Sequence, residues 1–494
     1  MTQQRATNVS ASGDAPDQAA AGGPHSPLEQ PGSPTLIALI VAAAFFMEIL
    51  DATIIAPAIP EMAKSFGTTA VAVSTGISSY LITVAIFIPA SAWLSDRFGA
   101  RNVFTFAIAL FTVASVLCGF SQTLEQFTLA RILQGIGGAM MSPVGRIEVM
   151  RRTDKAQLLR TIAFLTWPGL SALVVGPPLG GLLTTYLSWR WIFFINVPIG
   201  ILGIVLVQVF FDRARRTAVR RFDLLGFALN GGALGTLIYG IESVSRNESW
   251  IATVGFIGLG AILGFFAIRH ALTHPAPLLS LGPFSVPSFA IGTLTGGGLF
   301  RLSASGTAFI LPVMFQVGFG TTAFAAGLLV GCYLAGDLGI KIVANQIVRR
   351  FGFRNTLLGG TLVVVLVSIP LLLINARTSL WIVIPVLVAV GASRSVQFTA
   401  LNSLIFAELP AEQIGSASAL NSMSHQVSSG IGVGLAAVAL ALSSLSQGHG
   451  GGSLSMLDFR VALGFTLLLA LAAVLFYSRM SPQTGMQVTG HRPR

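Results

Sequence analysis

Apolar residues fill long stretches of this chain, and short polar or turn-rich segments separate these stretches. A run of about 20 apolar helical residues is long enough to cross the hydrocarbon core of a bilayer. We therefore predict an all-α membrane protein with fourteen transmembrane helices. The predicted spans are residues 35–59, 70–94, 102–120, 126–147, 160–186, 191–211, 223–241, 250–269, 287–314, 322–347, 356–375, 380–406, 413–444 and 459–478.

The composition agrees with a polytopic membrane protein. Of the 494 residues, 53% are hydrophobic and only 10% are charged, whereas a soluble domain carries about 25% charged residues. The net charge of +11 comes from short basic clusters between the apolar runs. Because the bilayer explains such clusters better than a nucleic acid does, we expect no nucleic-acid partner.

Several classes of catalytic protein lack support in the sequence. No phosphate-binding GK[ST] loop is present, so this chain does not encode an ATP-driven pump. No HExxH or GxSxG motif is present either, which argues against a membrane-embedded enzyme. Cys118 and Cys332 both lie in apolar runs and indicate core packing. We therefore expect no disulfide, no metal ion and no cofactor.

The basic residues predict the orientation. The predicted spans leave twenty Lys and Arg residues on the side of the termini, five on the other side and four inside spans. This bias places both termini in the cytoplasm. Residues 1–34, rich in Ala, Gly, Pro and Ser, are predicted to be a disordered cytoplasmic tail, and residues 481–494 form a second cytoplasmic tail.

An internal echo predicts the domain organisation. The segment Asp96–Arg101 reads DRFGAR after the second span, and Arg349–Arg354 reads RRFGFR after the tenth, 253 residues later. A loop that recurs after eight helices, where a half-bundle needs six, indicates two related halves with two helices between them. We predict six-helix bundles at residues 35–211 and 286–480 and a two-helix insert with basic linkers at 212–285.

Charged residues inside the first half are the main functional candidates. Glu48 and Asp51 lie on one face of the first span, and Arg131 lies in the fourth. Asp51 lies roughly 12 Å and Arg131 roughly 9 Å from the same membrane surface. An acid and a base at one depth are best accommodated as a pair, in which the acid ionises until a proton or a cationic substrate competes. The alternative is a permanent structural ion pair.

The second half carries its own set of intramembrane polar residues. Asp337 and Lys341 are four residues apart on the tenth span, where the simplest expectation is a salt bridge between them. Arg301 and Arg394 either pair across helices, with Asp337 as one candidate partner, or hold an anionic substrate group. His425 suits proton handling, although a packed neutral imidazole is the simpler interpretation. With Gln134, the residues Arg301, Asp337, Arg394 and His425 are the candidate substrate cavity.

Two groups of glycines predict a close helix seam. Small residues let neighbouring backbones approach, and Pro177 with Pro178 stiffens or kinks the fifth span. One hypothesis is that the fourth and fifth spans form a close seam through these two faces; the alternative, which spacing alone favours, is ordinary small-residue packing. The residues concerned are Gly135, Gly137 and Gly138 on the fourth span, and Gly176, Gly180 and Gly181 on the fifth.

Four motifs resemble the major facilitator superfamily, specifically its fourteen-helix drug/proton antiporter branch of the EmrB/QacA type. The resemblance covers residues from Thr35 to about Tyr477, and within the branch it is closest to the HsrA-like and MdtD-like members. Leu50–Pro60 looks like the first-helix motif, and Ala92–Arg101 like the GxLaDRxGRK loop with Ala92 and Ala100 at two of its usual positions. Leu129–Ala139 looks like the RxxQGxG motif, and Gly176–Gly181 like the antiporter motif, with Ala172 at its leading Gly.

The resemblance implies a proton-coupled secondary transporter in the bacterial inner membrane. It would export organic compounds or drugs by proton antiport with alternating access; the alternative on the same fold is a metabolite, sugar or organic-acid transporter. The implied partners are a small organic substrate, protons and the lipid bilayer, with periplasmic adaptor proteins as a further candidate, and the expected state is a monomer.

The resemblance also assigns residue roles. It links Arg131 to proton coupling, and the intramembrane carboxylates of Asp51 and Glu48 are the acids that we expect to share this role. The charges of the cytoplasmic loop, on a short connection between two helices, indicate a conformational role. The loop residues are Asp96, Arg97, Gly99 and Arg101. The antiporter motif residues are Gly176, Pro177, Gly180 and Gly181.

Overall fold

The computed structural model of the protein describes residues 34–152, 158–211, 221–245, 249–448 and 454–486. These residues are helical or form turns and connections, and no strand occurs among them. The predicted tail at 1–34 lies outside the described residues except for its last residue, and only the first six residues of the tail at 481–494 are described.

Sixteen α-helices are numbered in chain order over the described residues. They are α1 Pro34–Ile54, α2 Ile59–Ser65, α3 Ala70–Phe98, α4 Ala100–Phe120, α5 Leu124–Arg152, α6 Leu158–Tyr186, α7 Trp191–Phe194, α8 Asn196–Phe210, α9 Leu224–Ser245, α10 Trp250–Thr273, α11 Pro287–Thr293, α12 Gly296–Val313, α13 Ala323–Leu373, α14 Leu380–Ala407, α15 Ile414–Ser446 and α16 Met456–Ser478.

Eleven helical stretches in the described part of the chain are long and apolar enough to cross a membrane. The protein is therefore an all-helical, multi-pass membrane protein. Helices α5 and α6 have 29 residues each and are not among the eleven. Helix α13 has 51 residues, which corresponds to roughly 75 Å, more than twice the thickness of a bilayer core.

The two echoed loops adopt the same backbone conformation at one glycine. Gly99, which ends α3, has φ 84°, and Gly352, inside α13, has φ 72°. L-residues with a side chain rarely adopt such values, so both positions favour glycine. Gly352 interrupts the helical geometry of α13 at the point where the sequence predicts the end of one span and the start of the next. The two glycines are 253 residues apart, which is the interval of the sequence echo.

The helices pack as two groups and an insert. The first group comprises α1–α8, the second comprises α11–α16, and α9 with α10 is the insert. Helix α1 contacts α5, α6 and α8, while α12 contacts α15 and α16, and α13 contacts α14. Contacts between the groups run mainly from α6 to α13 and from α3 to α15. Helices α9 and α10 pack on each other, and α9 also contacts α3 and α15. This arrangement leaves a cavity between the two groups.

One end of the bundle, here called the sealed end, is closed by direct contacts between the two groups. It is formed by residues 55–69, 185–191 and 314–324. Gln316 Nε2 donates a hydrogen bond to Pro57 O (2.9 Å), and the Phe324 amide donates one to Thr185 Oγ1 (3.0 Å).

Candidate functional site

Asp51 on α1 and Arg131 on α5 form an ion pair inside the first group of helices. Arg131 Nη1 lies 2.6 Å from Asp51 Oδ2, and both side chains are completely buried. The prediction that these residues pair is confirmed. Burying a lone ionised group at this position would carry a large desolvation free energy. The ion pair offsets part of this free energy, because each charge is compensated by the other.

Two amide side chains complete the hydrogen bonds to the Asp51 carboxylate, and a serine hydroxyl bridges these two amides. Gln134 Nε2 and Asn196 Nδ2 donate to Asp51 Oδ1 at 2.8 and 3.0 Å. Both nitrogens also contact Ser115 Oγ, at 2.8 and 3.2 Å, and Arg131 donates to Gln134 Oε1 at 2.6 Å. The carboxylate thus accepts three hydrogen bonds from side chains on two helices, α5 and α8.

Glu48, one turn before Asp51 on α1, lies outside this network. Its carboxylate accepts a hydrogen bond of 2.6 Å from Ser142 Oγ on α5. The two acids share a helix, as predicted, but each has its own hydrogen-bond partners. A joint role in proton coupling stays a prediction.

The second group contains an ion pair of its own, between Asp337 on α13 and Arg394 on α14. The expected salt bridge between Asp337 and Lys341 is wrong, because the Asp337 side chain points across to α14. Arg394 also lies over the ring of Tyr333, 4.8 Å from its centroid, and over that of Phe398 at 5.4 Å. Of the two interpretations of Arg394, the geometry selects pairing across helices.

The two ion pairs share an arrangement around tyrosine. Arg131 lies 4.2 Å from the centroid of the Tyr80 ring, just as Arg394 lies over Tyr333. Tyr333 follows Tyr80 by 253 residues, the interval that separates the echoed loops. In each group an arginine, fully buried for Arg131 and half-buried for Arg394, is therefore held between a carboxylate and an aromatic face.

A cavity of about 210 Å³ lies between the two groups of helices. Its polar lining includes both arginines and both tyrosines, Arg131, Arg394, Tyr80 and Tyr333. The rest is mainly apolar. It includes Ile55, Ile59, Ile77, Phe309, Val330 and Leu334. An apolar cavity with few polar groups is typical of sites for small organic molecules.

The other predicted cavity residues lie in different places. Gln134 and Asp337 do not line the cavity themselves, but each contacts an arginine that does. Neither Arg301 nor His425 lines the cavity. Arg301 on α12 is fully buried and donates to Asn421 Oδ1 (2.9 Å), while its Nε has no partner among the described residues. His425 is exposed and lies edge-on to Phe398, with ring centroids 6.1 Å apart.

The predicted glycine seam between the fourth and fifth spans is wrong. The glycines of α5 face α3 and α4, where a Cβ on Gly135 would lie 2.8 Å from Tyr80 O. The glycines of α6 face α1 and α13: a Cβ on Gly180 would lie 2.0 Å from Ile54 O, and one on Gly181 would lie 2.3 Å from Ala323 O. Pro177 contributes to the cavity lining. The motif therefore joins α6 to α1 and across to the other group.

A family model described as Major Facilitator Superfamily matches residues 41–433, and a second match covers residues 293–492. The chain belongs to the Major Facilitator Superfamily. It is therefore a membrane transporter and not an enzyme. This confirms the resemblance that the motifs indicated.

Curated relatives are similar over most of the chain. A Pectobacterium atrosepticum protein (strain SCRI 1043 / ATCC BAA-672), named as a multidrug resistance protein, MdtD, is 38% identical over 405 residues, covering 82% of this chain and 86% of the relative. An Escherichia coli O6:H1 protein (strain CFT073 / ATCC 700928 / UPEC) with the same name is 39% identical over 394 residues, covering 79% and 83%.

Solved transporter structures share the fold at low sequence identity. An auto-inhibited POT family peptide transporter matches with a TM-score of 0.64 at 15% identity, covering 91% of this chain and 97% of that one. A bacterial homologue of the human lysosomal transporter Spinster, in an inward-facing and unoccupied conformation, matches with a TM-score of 0.64 at 14% identity, covering 90% and 97%.

The superfamily loop after α3 is held within its own group of helices. Arg101 Nη2 donates to the backbone oxygen and to Oε1 of Gln208 on α8, at 2.5 and 2.8 Å. Arg97 is exposed, Asp96 is half-buried, and Gly99 provides the turn between α3 and α4. A conformational role for these four residues stays a prediction.

Sequence reasoning missed Asn196 and Ser115, which complete the Asp51 network. Asn196 is the only amide or charged residue between Trp191 and Val207 in an otherwise apolar stretch, and this position was the available signal. Ser115 gave no comparable signal, because isolated serines are common in membrane helices and satisfy themselves on the preceding turn. Ser115 does this as well, since its hydroxyl donates to Phe111 O at 2.9 Å.

Proposed function

We propose that this protein is a proton-coupled secondary transporter that exports small organic compounds by proton antiport with alternating access. The observation that carries the proposal is the position of Arg131, which both pairs with the buried Asp51 carboxylate and lines the central cavity. A substrate in the cavity thus contacts the cation that pairs with the proposed proton acceptor.

The coupling follows from competition for one carboxylate. Protonation of Asp51 removes its charge and weakens its bond to Arg131, so the guanidinium becomes free to move toward the cavity. Loss of the proton restores the pair and withdraws the guanidinium. Because Gln134 and Asn196 hold the carboxylate in place, the ion pair can break and form again at a fixed position. Glu48 is proposed as a second protonatable group on the same path.

Alternating access requires the two groups of helices to move against each other. We propose that residues 35–211 and 286–480 are the two moving halves, with the insert 212–285 between them. The equal spacing of Gly99 and Gly352, and of Tyr80 and Tyr333, supports this division. The sealed end would open when α6 separates from α13, and the loop of Asp96, Arg97, Gly99 and Arg101 would latch the opposite end.

The proposed topology has fourteen crossings. The eleven apolar stretches contribute eleven, α5 and α6 contribute two, and the break of α13 at Gly352 contributes one more. With an even number of crossings and the basic bias of the predicted loops, both termini lie in the cytoplasm and the sealed end faces the periplasm. The membrane is then the bacterial inner membrane.

The cavity favours uncharged or weakly charged, partly aromatic compounds. Its two arginines are already paired with Asp51 and Asp337, so neither offers an uncompensated positive charge to a substrate. Tyr80 and Tyr333 offer aromatic faces. This argues for the export of apolar organic compounds over the alternative of organic-acid transport, and it agrees with the name of the MdtD relatives.

The proposed working unit is a monomer, because both ion pairs and the cavity lining come from one chain. Periplasmic adaptor proteins, implied by the resemblance, remain a candidate partner at the sealed end.

The proposal is tested with purified protein in liposomes that contain an apolar fluorescent dye. An imposed pH gradient should drive dye movement against its concentration gradient, and a protonophore should abolish this movement. Movement that is equal with and without the gradient would refute proton coupling. No movement of any dye, together with gradient-driven movement of an organic acid, would support the alternative.

A further inference from the structure

Three metal-ligating side chains meet at one end of the α9–α10 insert, away from the central cavity. Asp223 immediately precedes α9, His270 lies in the last turn of α10, and His274 immediately follows α10. One oxygen of Asp223 and one ring nitrogen of each histidine lie within 4.8 Å of one another. We propose that these three side chains bind a divalent transition-metal ion, with Zn²⁺ as the best match.

The Asp223 carboxylate is fixed in place by its surroundings. The Gly226 amide donates to Oδ1 at 2.8 Å, and the Leu278 amide donates to Oδ2 at 3.0 Å. A Cβ on Gly226 would lie only 2.3 Å from Oδ2, so the glycine leaves the space that the carboxylate occupies. Hydrogen bonds of this kind orient metal ligands and reduce the cost of assembling a site.

His270 lies where it would share the ion with Asp223. Its Nε2 is 2.8 Å from Asp223 Oδ1, so a proton now lies between the two atoms. A zinc ion would replace this proton, because imidazole nitrogen and carboxylate oxygen each bind Zn²⁺ at about 2.0–2.2 Å, which requires only a small separation of the two side chains.

The position of His274 beside the other two residues is not accounted for by the hydrogen bond between Asp223 and His270 alone. Its ring lies 4.8 Å from the His270 ring, centroid to centroid, with 32° between the planes. Its Nδ1 accepts a hydrogen bond from the Ala276 amide at 3.2 Å, so in the neutral ring Nδ1 carries the lone pair. On the side of His274, this long and exposed hydrogen bond is the contact that a metal ion at Nδ1 would have to replace.

The donor set selects the class of ion. Two imidazoles and one carboxylate suit Zn²⁺ with a water molecule in the fourth position, whereas Mg²⁺ and Ca²⁺ prefer oxygen ligands alone. The sequence predicted no metal site, because 47 residues separate Asp223 from His270 and no ligand-spacing motif links them. The ion would tie the start of α9 to the end of α10 and to the segment that leads to α11.

The test uses the full-length protein in detergent, purified without a polyhistidine tag and stripped with a chelator. Titration with Co²⁺ should show one equivalent bound, with the visible absorption of a four-coordinate ion, and Zn²⁺ should displace it. His274→Ala should weaken binding at least about tenfold, since one ligand is lost. Zn²⁺ should also raise the unfolding temperature of the natural protein but not that of this variant. His425→Ala, which removes a histidine outside the cluster, is the matched control and should bind like the natural protein.

Absence of Co²⁺ and Zn²⁺ binding would overturn the proposal, as would equal binding by the natural protein and His274→Ala. This variant decides the question even if His270→Ala fails to fold, because it leaves the contact between Asp223 and His270 in place. The result is independent of transport, since metal binding is measured directly.

Discussion

Replacing Asp51 by Asn tests the ion pair at the centre of the proposed mechanism. The carboxylate accepts bonds on both oxygens, from Gln134 and Asn196 on Oδ1 and from Arg131 on Oδ2. An amide has one acceptor oxygen, so at least one of these donors would face the new NH₂ group. At the same time the buried guanidinium of Arg131 loses its counter-charge.

The expected loss of stability is large. Removing one partner of a buried ion pair typically costs about 3–5 kcal/mol, because the remaining charge stays buried without compensation. A lower unfolding temperature in detergent should report this cost. Glu61→Gln is the matched control: it makes the same chemical change in an exposed pair with Lys64 at the sealed end, where an ion pair contributes at most about 1 kcal/mol.

The expected effect on transport is a loss of coupling. In liposomes, the ratio of dye movement with and without a pH gradient should fall to about one in Asp51→Asn, since the group that binds the proton is gone. The double variant Asp51→Asn with Arg131→Met should recover part of the stability, because no lone charge remains buried, but it should stay uncoupled. A folded Asp51→Asn protein with an unchanged ratio would show that the pair is structural and would refute the reasoning.

Three further changes probe other parts of the structure. Gly181→Ala places a Cβ 2.3 Å from Ala323 O on α13. We therefore expect the α6–α13 contact to loosen, the free energy of unfolding to fall by about 1–3 kcal/mol, and dye export to slow. The control Gly339→Ala, whose Cβ meets nothing within 4 Å, should change neither stability nor export. Arg394→Met leaves Asp337 buried without a cation and should lower the unfolding temperature more than the double variant with Asp337→Asn does. Burial opposes ionisation of Asp223, but hydrogen bonds from two backbone amides and from His270 outweigh it and lower its pKa. Asp223→Asn should therefore reduce stability at pH 7, and the difference from the natural protein should shrink as the pH falls from about 4 through the lowered pKa of the folded protein, measured by thermal unfolding.

Each of these predictions has a clear contrary outcome. Equal export by the Gly181 and Gly339 variants would show that α6 and α13 tolerate a wider spacing. Equal stability of the single and double variants at Arg394 would show that the second ion pair is not energetically coupled. A stability difference for the Asp223 variant that persists at low pH would show that its charge is not the cause.

Much of the fold could be predicted from the sequence because the bilayer imposes a local rule. A helix must be apolar over about 20 residues to cross the membrane, whatever its neighbours are. The predicted spans accordingly overlap the observed helices, and the break in the long helix α13 falls where the echoed loop predicts it, at Gly352. The pairing of Asp51 with Arg131 was also predictable, because helix geometry alone gives the depth of each residue.

Tertiary packing decided what local spacing could not. Asp337 and Lys341 are correctly spaced for a salt bridge, yet Asp337 pairs with Arg394 on another helix, 57 residues along the chain. The glycines of α5 and α6 have the spacing of a seam but face different helices, since spacing gives the face of a helix and not its neighbour.

The sequence alone thus determined that the chain is an all-helical, multi-pass membrane protein, and to which family it is similar. Only the tertiary structure decided which charges compensate each other, which side chains line the cavity, and that Asp223 meets His270 and His274. The physical reason is that burial of a helix depends on its own composition, whereas a contact between side chains depends on how two helices are rotated and placed against each other.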